Sequence, residues 1–448
     1  MNSKQKIAAW VIFTAVIGLG ISYGPLYLFH IAALLFSVVL IFDFASSSFF
    51  LRKDLMKKHT RVDFGNIFVV MLVWYTVTLV WCANREMALY YLFYIANGII
   101  IIMAFSYAVK SVADLNKILQ IVGVIFLCEM LLALFEGFTG IQWPISPYSE
   151  WVVFFRREVG YNINLSPDII NAISHTPTGF RWNPNDLSAA MLVVLPFFMF
   201  YRRIFICIAG SIAAVMIIFL TGSRGALIGL ALMAVVFVFL YLKRRHVLWV
   251  LSGVAVVSIA FVLSLPSIQK HYTVKYTEVS TTTDALGKYL FTDHEQVNDT
   301  SSIAIRQNLV SNGIEALQES YGLGVGAGNS KVVQMKNNNT HNVYSMHNFW
   351  VEILVEAGVL FFILWCVWYF LLTRRLYLIF RSTDSPGIRY FSKASSLSLI
   401  GMTIGMISMS SAIYFFPMYV LFGVCFVTIQ LSRPNTILRR DLNTSRDF

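Results

Sequence analysis

Apolar runs of about 20 residues, each long enough to cross roughly 30 Å of hydrocarbon as a helix, recur from one end of the chain to the other. Short polar stretches separate them. Twelve helical spans are predicted, at roughly 7–22, 25–44, 64–82, 88–108, 117–136, 185–201, 204–221, 225–242, 247–265, 349–372, 394–412 and 414–431. The short alternating segments of a transmembrane β-barrel are missing from this pattern. The expected fold is an all-α polytopic membrane protein of about 12 transmembrane helices. The first run follows Lys4 and Lys6 as a signal peptide would. It lacks a small-x-small cleavage site and a second run follows at once, so it is read as a retained span.

Two long connections interrupt the spans. The chain is therefore divided into a five-span region (1–136), a first loop (137–184), spans six to nine (185–265), a large loop (266–348), spans ten to twelve (349–431) and a basic tail (432–448). Loops of this length usually carry function or structure of their own. In the second, Ile303, Val310, Ile314 and Leu317 recur at helical spacing, with Ser301 or Ser302 as a cap. This predicts an amphipathic helix over 301–320, its apolar face on the membrane surface or on the bundle.

Charge orients the spans. Only 13% of residues are charged, against about 25% in soluble domains. With the N-terminus inside, cytoplasmic segments hold 23 of the 34 Lys and Arg, and the short outer connections hold only Arg85 and Arg224. By the positive-inside rule both termini are cytoplasmic and both long loops lie outside. The net charge of +11 then becomes a cytoplasmic collar facing anionic lipid, which removes the case for nucleic acid. The five cysteines fall in apolar runs without CxxC spacing and read as small core residues.

Charged groups at span ends carry the candidate chemistry. In TGSRG, Arg224 stands between Gly222 and Gly225 at the outer mouth of spans seven and eight. Small neighbours let a backbone approach a ligand, and a guanidinium suits phosphate. The plainer account is an interfacial arginine that snorkels to water. YGLGVGAGN (321–329), with Gly324 and Gly326 at its centre, is no dinucleotide loop, because the preceding pattern is helical and the site extracytoplasmic. It is a tight turn or a backbone nest for an anion. His341 and His347 each precede an asparagine. His347 abuts span ten, where a neutral imidazole can take a proton from a hydroxyl; a structural interfacial histidine is the alternative, and the choice between the two histidines stays open. Glu352 and Glu356 share a helix face, as do Glu129 and Glu136. Such intramembrane carboxylates are either functional or paired with arginines. Arg181 is a second outer cation, and Pro184, Asn185 and Asp186 open span six as a helix start. HExxH, DxD, P-loop and GxSxG patterns are all missing, so an enzyme here would be metal-independent or would take its metal from scattered residues, and no cofactor is expected.

Four of these stretches together resemble the O-antigen ligase and O-antigen polymerase superfamily, including teichuronic acid polymerase-like proteins. They are TGSRGALIG (221–229), RWNPNDLSA (181–189), AIRQNLVSNGIEALQESYGLGVGAGN (304–329) and HNFWVEILVEAG (347–358). The resemblance implies a metal-independent, inverting glycosyltransferase of the membrane GT-C type in the bacterial cytoplasmic membrane. Its donor would be a glycan on undecaprenyl pyrophosphate, used at the outer face. The acceptor would be another lipid-linked repeat unit in a polymerase, the preferred reading, or lipid A core in a ligase. A flippase and a chain-length regulator are the expected companions. Arg224 and Arg306 would hold the pyrophosphate and His347 would orient or deprotonate the attacking hydroxyl. Arg181, Asn185, Gly324, Gly326, His341 and Glu352 are the expected further substrate contacts. A secondary transporter would instead show paired half-repeats, which the chain lacks.

Overall fold

A computed structural model describes residues 2–46, 64–160, 167–241 and 302–433. Its helices are α1 (Ser3–Ile17), α2 (Leu28–Ser46), α3 (Asn66–Thr78), α4 (Arg85–Ala108), α5 (Val112–Thr139), α6 (Pro167–Ser174), α7 (Pro184–Met199), α8 (Ile204–Leu220) and α9 (Arg224–Val236). The large loop holds α10 (Ser302–Glu319) and α11 (Asn329–Met335), and after it come α12 (Phe349–Ser382), α13 (Pro386–Gly405) and α14 (Phe416–Leu431). The one sheet among the described residues is a two-stranded hairpin, β1 (Ser22–Tyr23) against β2 (Leu26–Tyr27). The fold is all-α, and α4, α5 and α12 are long and apolar enough to cross a membrane by themselves. Every expected span has a helix in its place except the ninth, 247–265, which lies outside the described residues with residues 266–301 of the large loop and most of the basic tail.

Local chemistry sets the helix ends. Asn84 caps α4 by accepting from the Met87 amide, Ser111 and Asp114 form a capping box on α5, and Gly140 closes α5 in the left-handed region. Asn183 caps α7, with Pro184 as its first residue. α14 is the hub, with almost every residue buried. Close approach to α4 rests on glycines: a Cβ on Gly98 would run into the Tyr419 ring, and one on Gly423 into Phe105. Trp365, Trp368, Phe68 and Phe422 fill the centre between α3, α12 and α14 with mostly edge-on and tilted rings.

Two expectations change here. The spans predicted at 394–412 and 414–431 nearly touch in sequence, but α13 ends at Gly405 and residues 406–415 are non-helical. The predicted loop helix exists as α10, and its apolar face lies on α12. The buried stripe is Leu309, Asn312, Gly313, Ala316 and Leu317, while Val310 and Ile314 are only half-buried. The stripe has rotated because Gly313 seats against Met346 and Val355, and Asn312 is held by Gln334 and Asn339.

Candidate functional site

α8 turns into α9 through Thr221, Gly222 and Ser223, and Gly222 (φ 63°) takes the left-handed conformation this requires. Arg224 is the first residue of α9 and its side chain is exposed. The glycines beside it do something other than clear room for a ligand. A Cβ on Gly225 would lie 2.7 Å from the Ser408 side chain, and one on Gly229 2.8 Å from the Gly401 carbonyl. Both are where α9 packs on α13 and its continuation. Only Gly222 has open space beside it.

Ser408 links that turn to the histidine. Its Oγ is 3.1 Å from Ser223 Oγ, and its backbone contacts His347. The chain leading into α12 is stitched to the same segment. The Ser345 hydroxyl donates to the Ser410 carbonyl, the Phe349 amide to Met406 O at 3.1 Å and Trp350 Nε1 to Thr403 O at 2.8 Å. His347 adopts a left-handed backbone (φ 46°), uncommon for a residue with a Cβ and a frequent mark of functional positions. Burial first, then the Arg306 and Lys331 charges, pull its imidazole down to about 4, with the Ser408 contact acting in the opposite sense. The ring is therefore neutral near pH 7, and its Nδ1 is buried without a hydrogen-bond partner. Such a nitrogen can accept a proton, and a buried polar atom left in this state calls for a reason. Thus His347 and the turn bearing Arg224 meet at Ser408, and Arg306 of α10 lies within electrostatic reach of His347. His341 is exposed on a turn of its own at φ 48°, and Asn348 serves as the N-cap of α12.

The carboxylates of α12 lie behind this centre. Glu352 is 2% exposed, and its Oε1 accepts from Ser411 Oγ at 2.6 Å and Tyr91 OH at 3.2 Å. Glu356 Oε1 accepts from Ser330 Oγ at 2.6 Å and its Oε2 from Tyr75 OH at 3.4 Å. Lys331 is within electrostatic reach of both carboxylates and of His347, and its Nζ lies 5.4 Å and 5.1 Å from the ring centres of Tyr91 and Tyr414. Lys331, Ser408 and Ser411 were not anticipated from the sequence. Lys331 could have been found as the one cation immediately after the glycine run, and the serines as a polar interruption, SMSS, near the end of the predicted span 394–412.

The remaining expected contacts have structural partners. Arg181 is buried with Glu129, its Nη2 donating to Glu129 Oε2 at 2.8 Å and to Val16 O at 2.9 Å. Glu136 accepts the amides of Trp143, Thr178 and Gly179 at 2.8–2.9 Å, pinning the first loop to α5. The Asn185 amide donates to the capping Asn183, whose Nδ2 reaches Ser410. Gly324 and Gly326 clamp a break in α12. There Gly358 leaves the helical region, the Val325 and Gly326 amides donate to the Val355 and Glu356 carbonyls at 2.9 and 3.0 Å, and Trp81 Nε1 donates to Gly324 O. A Cβ on Gly324 would fall 2.5 Å from Glu356 O, and one on Gly326 2.7 Å from Cys82 Cβ. These amides face protein carbonyls rather than an anion.

Among the described residues no three His, Cys, Asp or Glu side chains assemble as metal ligands. Residues 209–366 match the family model described as O-antigen ligase. The chain is also 23% identical to the teichuronic acid biosynthesis protein TuaE of Bacillus subtilis (strain 168) over 379 residues, 82% of this chain and 71% of that protein. The matched region begins in α8 and ends in α12, so it contains Arg224, Arg306, Lys331 and His347. The chain is thus a membrane protein that resembles the O-antigen ligase and O-antigen polymerase superfamily of surface-polysaccharide biosynthesis.

Proposed function

We propose that this protein is an inverting, metal-independent glycosyltransferase that polymerises undecaprenyl-pyrophosphate-linked repeat units at the outer face of the bacterial cytoplasmic membrane. The observation that carries the reading is a neutral, half-buried His347 that Ser408 joins to the Arg224 turn, within electrostatic reach of Arg306. In the proposed step an acceptor hydroxyl oxygen bonds to the anomeric carbon of the donor glycan as the bond from that carbon to the pyrophosphate oxygen breaks. The electron pair leaves with undecaprenyl pyrophosphate, and His347 takes the hydroxyl proton. Arg224 and Arg306 stabilise the charge developing on the leaving pyrophosphate, where preorganised donors are most effective. The N-terminus of α9 adds its partial positive charge at the same place. A positioned base contributes roughly 10²–10⁴-fold.

The description of the family match keeps the ligase as the second reading, in which lipid A core replaces the lipid-linked acceptor. Purified protein given a defined lipid-linked repeat unit, with and without lipid A core, separates the two. Chains growing on the carrier lipid in the presence of chelator are expected. Transfer only to the core makes the protein a ligase, loss of activity with chelator and its return with a divalent cation refutes the metal-free step, and no transfer to either acceptor refutes the transferase.

A further inference from the structure

A cavity of about 810 Å³ opens between the start of α4, the β1–β2 hairpin, residues 180–182 and the segment leading into α14. Its wall is largely aromatic, with Tyr90, Phe93, Tyr94, Trp182 and Tyr414 among the rings. Tyr90 and Phe93 are about half exposed (50% and 48%), so their faces are available to an occupant. Between the rings stand Glu86, Asp186, Arg157, Arg181 and Lys331. Arg157 and Arg181 each keep a buried Nε without a hydrogen-bond partner, although Arg181 is only 6% exposed. Flat apolar faces interspersed with donors and acceptors of both charges match a pyranose ring, which presents C–H groups on its faces and hydroxyls around its rim. A lipid chain would leave the charged groups unsatisfied, and a free anion would not need the rings.

The connection to the transfer centre gives the cavity its direction. Lys331 lines the cavity and acts on His347, whereas neither Arg224 nor Arg306 is part of the wall. In an inverting displacement the nucleophile and the leaving group lie on opposite sides of the reacting carbon. His347 is not in the wall either, so the cavity is linked to the base through Lys331 and lies away from both pyrophosphate arginines, which is the nucleophile's side. We infer that this cavity is the acceptor subsite, in which the terminal sugar of the acceptor glycan stacks on the α4 and Trp182 rings and Lys331 guides its hydroxyl toward His347. This rests on the transferase reading above.

The test uses the full-length protein in nanodiscs and the repeat-unit oligosaccharide released by mild acid from the host's carrier lipid. Saturable binding of this oligosaccharide, followed by saturation-transfer NMR, is expected in the wild type and unchanged in Arg224→Ala. It is expected to weaken in Phe93→Ala and Trp182→Ala, by roughly 3- to 10-fold for each ring removed. In turnover assays the same two variants should raise the acceptor KM by a similar factor while kcat changes less than about twofold, the signature of binding lost equally from ground and transition states. Binding retained in both ring variants, or lost in Arg224→Ala, overturns the assignment. So does a wild-type enzyme whose acceptor KM ignores both substitutions. If the wild type transfers no glycan but ring-dependent oligosaccharide binding persists, the transferase reading fails and the cavity stands as a sugar site.

Discussion

His347 offers the sharpest physical test, because its basicity is set by neighbours that can be removed one at a time. A histidine ordinarily titrates near 6.5, and here burial with the Arg306 and Lys331 charges brings it to about 4. That gap amounts to about 3 kcal/mol of resistance to protonation. Burial is the largest cause, so each cation accounts for a minority. A unit charge at about 10 Å in an effective dielectric near 20 gives on the order of 1–2 kcal/mol, or roughly one pH unit. Lys331→Gln and Arg306→Gln should each move the His347 titration upward by about that amount. Carbon-13 NMR of histidine-labelled protein in detergent, with His347→Gln to assign the resonance, reads this directly. In kinetics the base must be unprotonated, so the acid limb of kcat/KM reports His347 in the free enzyme and that of kcat reports it in the substrate complex. A bound pyrophosphate offsets the same cations, so the kcat limb should lie at higher pH than the kcat/KM limb. Stability follows with a definite sign. The folded value is below the unfolded one, so this contribution is complete above about 6.5 and is lost as pH falls through about 4. A wild-type His347 that titrates near 6.5, or one that ignores both charge removals, refutes the electrostatic account.

Other predictions concern the arginines and the scaffold. Arg224→Ala and Arg306→Ala should abolish transfer in protein that still inserts, and Arg224→Lys should also fail if bidentate geometry is needed; normal chains made by purified Arg224→Ala would remove it from the mechanism. Glu129→Ala strands a buried Arg181 and should cost about 3–5 kcal/mol, seen as a lowered Tm, whereas the double variant Glu129→Leu with Arg181→Met should recover much of it. Gly324→Ala forces a Cβ onto the Glu356 carbonyl at φ 89° and should cost at least about 2 kcal/mol. Gly222→Ala faces open space and should cost only about 1–2 kcal/mol. Equal Tm losses for the two glycines would contradict the packing described for the α12 break.

Most of the helices were legible because an apolar run long enough to span a bilayer has few other conformations open to it. The last two spans show where hydropathy stops informing. Met406, Ile407, Met409, Ala412 and Ile413 keep the average apolar, yet Ser408, Ser410 and Ser411 among them make long-range bonds to Ser223, Ser345 and Glu352. Those partners lie far off in the chain, so no local pattern announces them. The paired carboxylates behaved alike. Spacing put Glu129 and Glu136 on one face, and either function or an arginine partner satisfied it. The choice belonged to Arg181 and the Thr178 and Gly179 amides, brought in by the first loop. Lys331 is visible in the sequence as the cation after the glycine run, but its role is not, since a lone lysine acquires meaning only from Tyr91, Tyr414 and the α12 carboxylates around it.

The glycine-rich stretch then takes on a different importance from that of an anion nest. Arg306 sits on α10 and His347 just before α12, so their separation depends on how these two helices are held together. Gly313 fixes one point, against Met346 and Val355. Val325 and Gly326 fix another by bonding to the carbonyls that the break at Gly358 leaves without helical partners. The helix is therefore broken where α10 must be anchored, and the freed carbonyls become the anchor. From that anchor the chain runs directly into Ser330 and Lys331, placing the lysine beside both Glu352 and Glu356. Through that anchor Gly326 and Gly358 can govern transfer by positioning alone, because an error of about 1 Å can cost roughly 100-fold in rate.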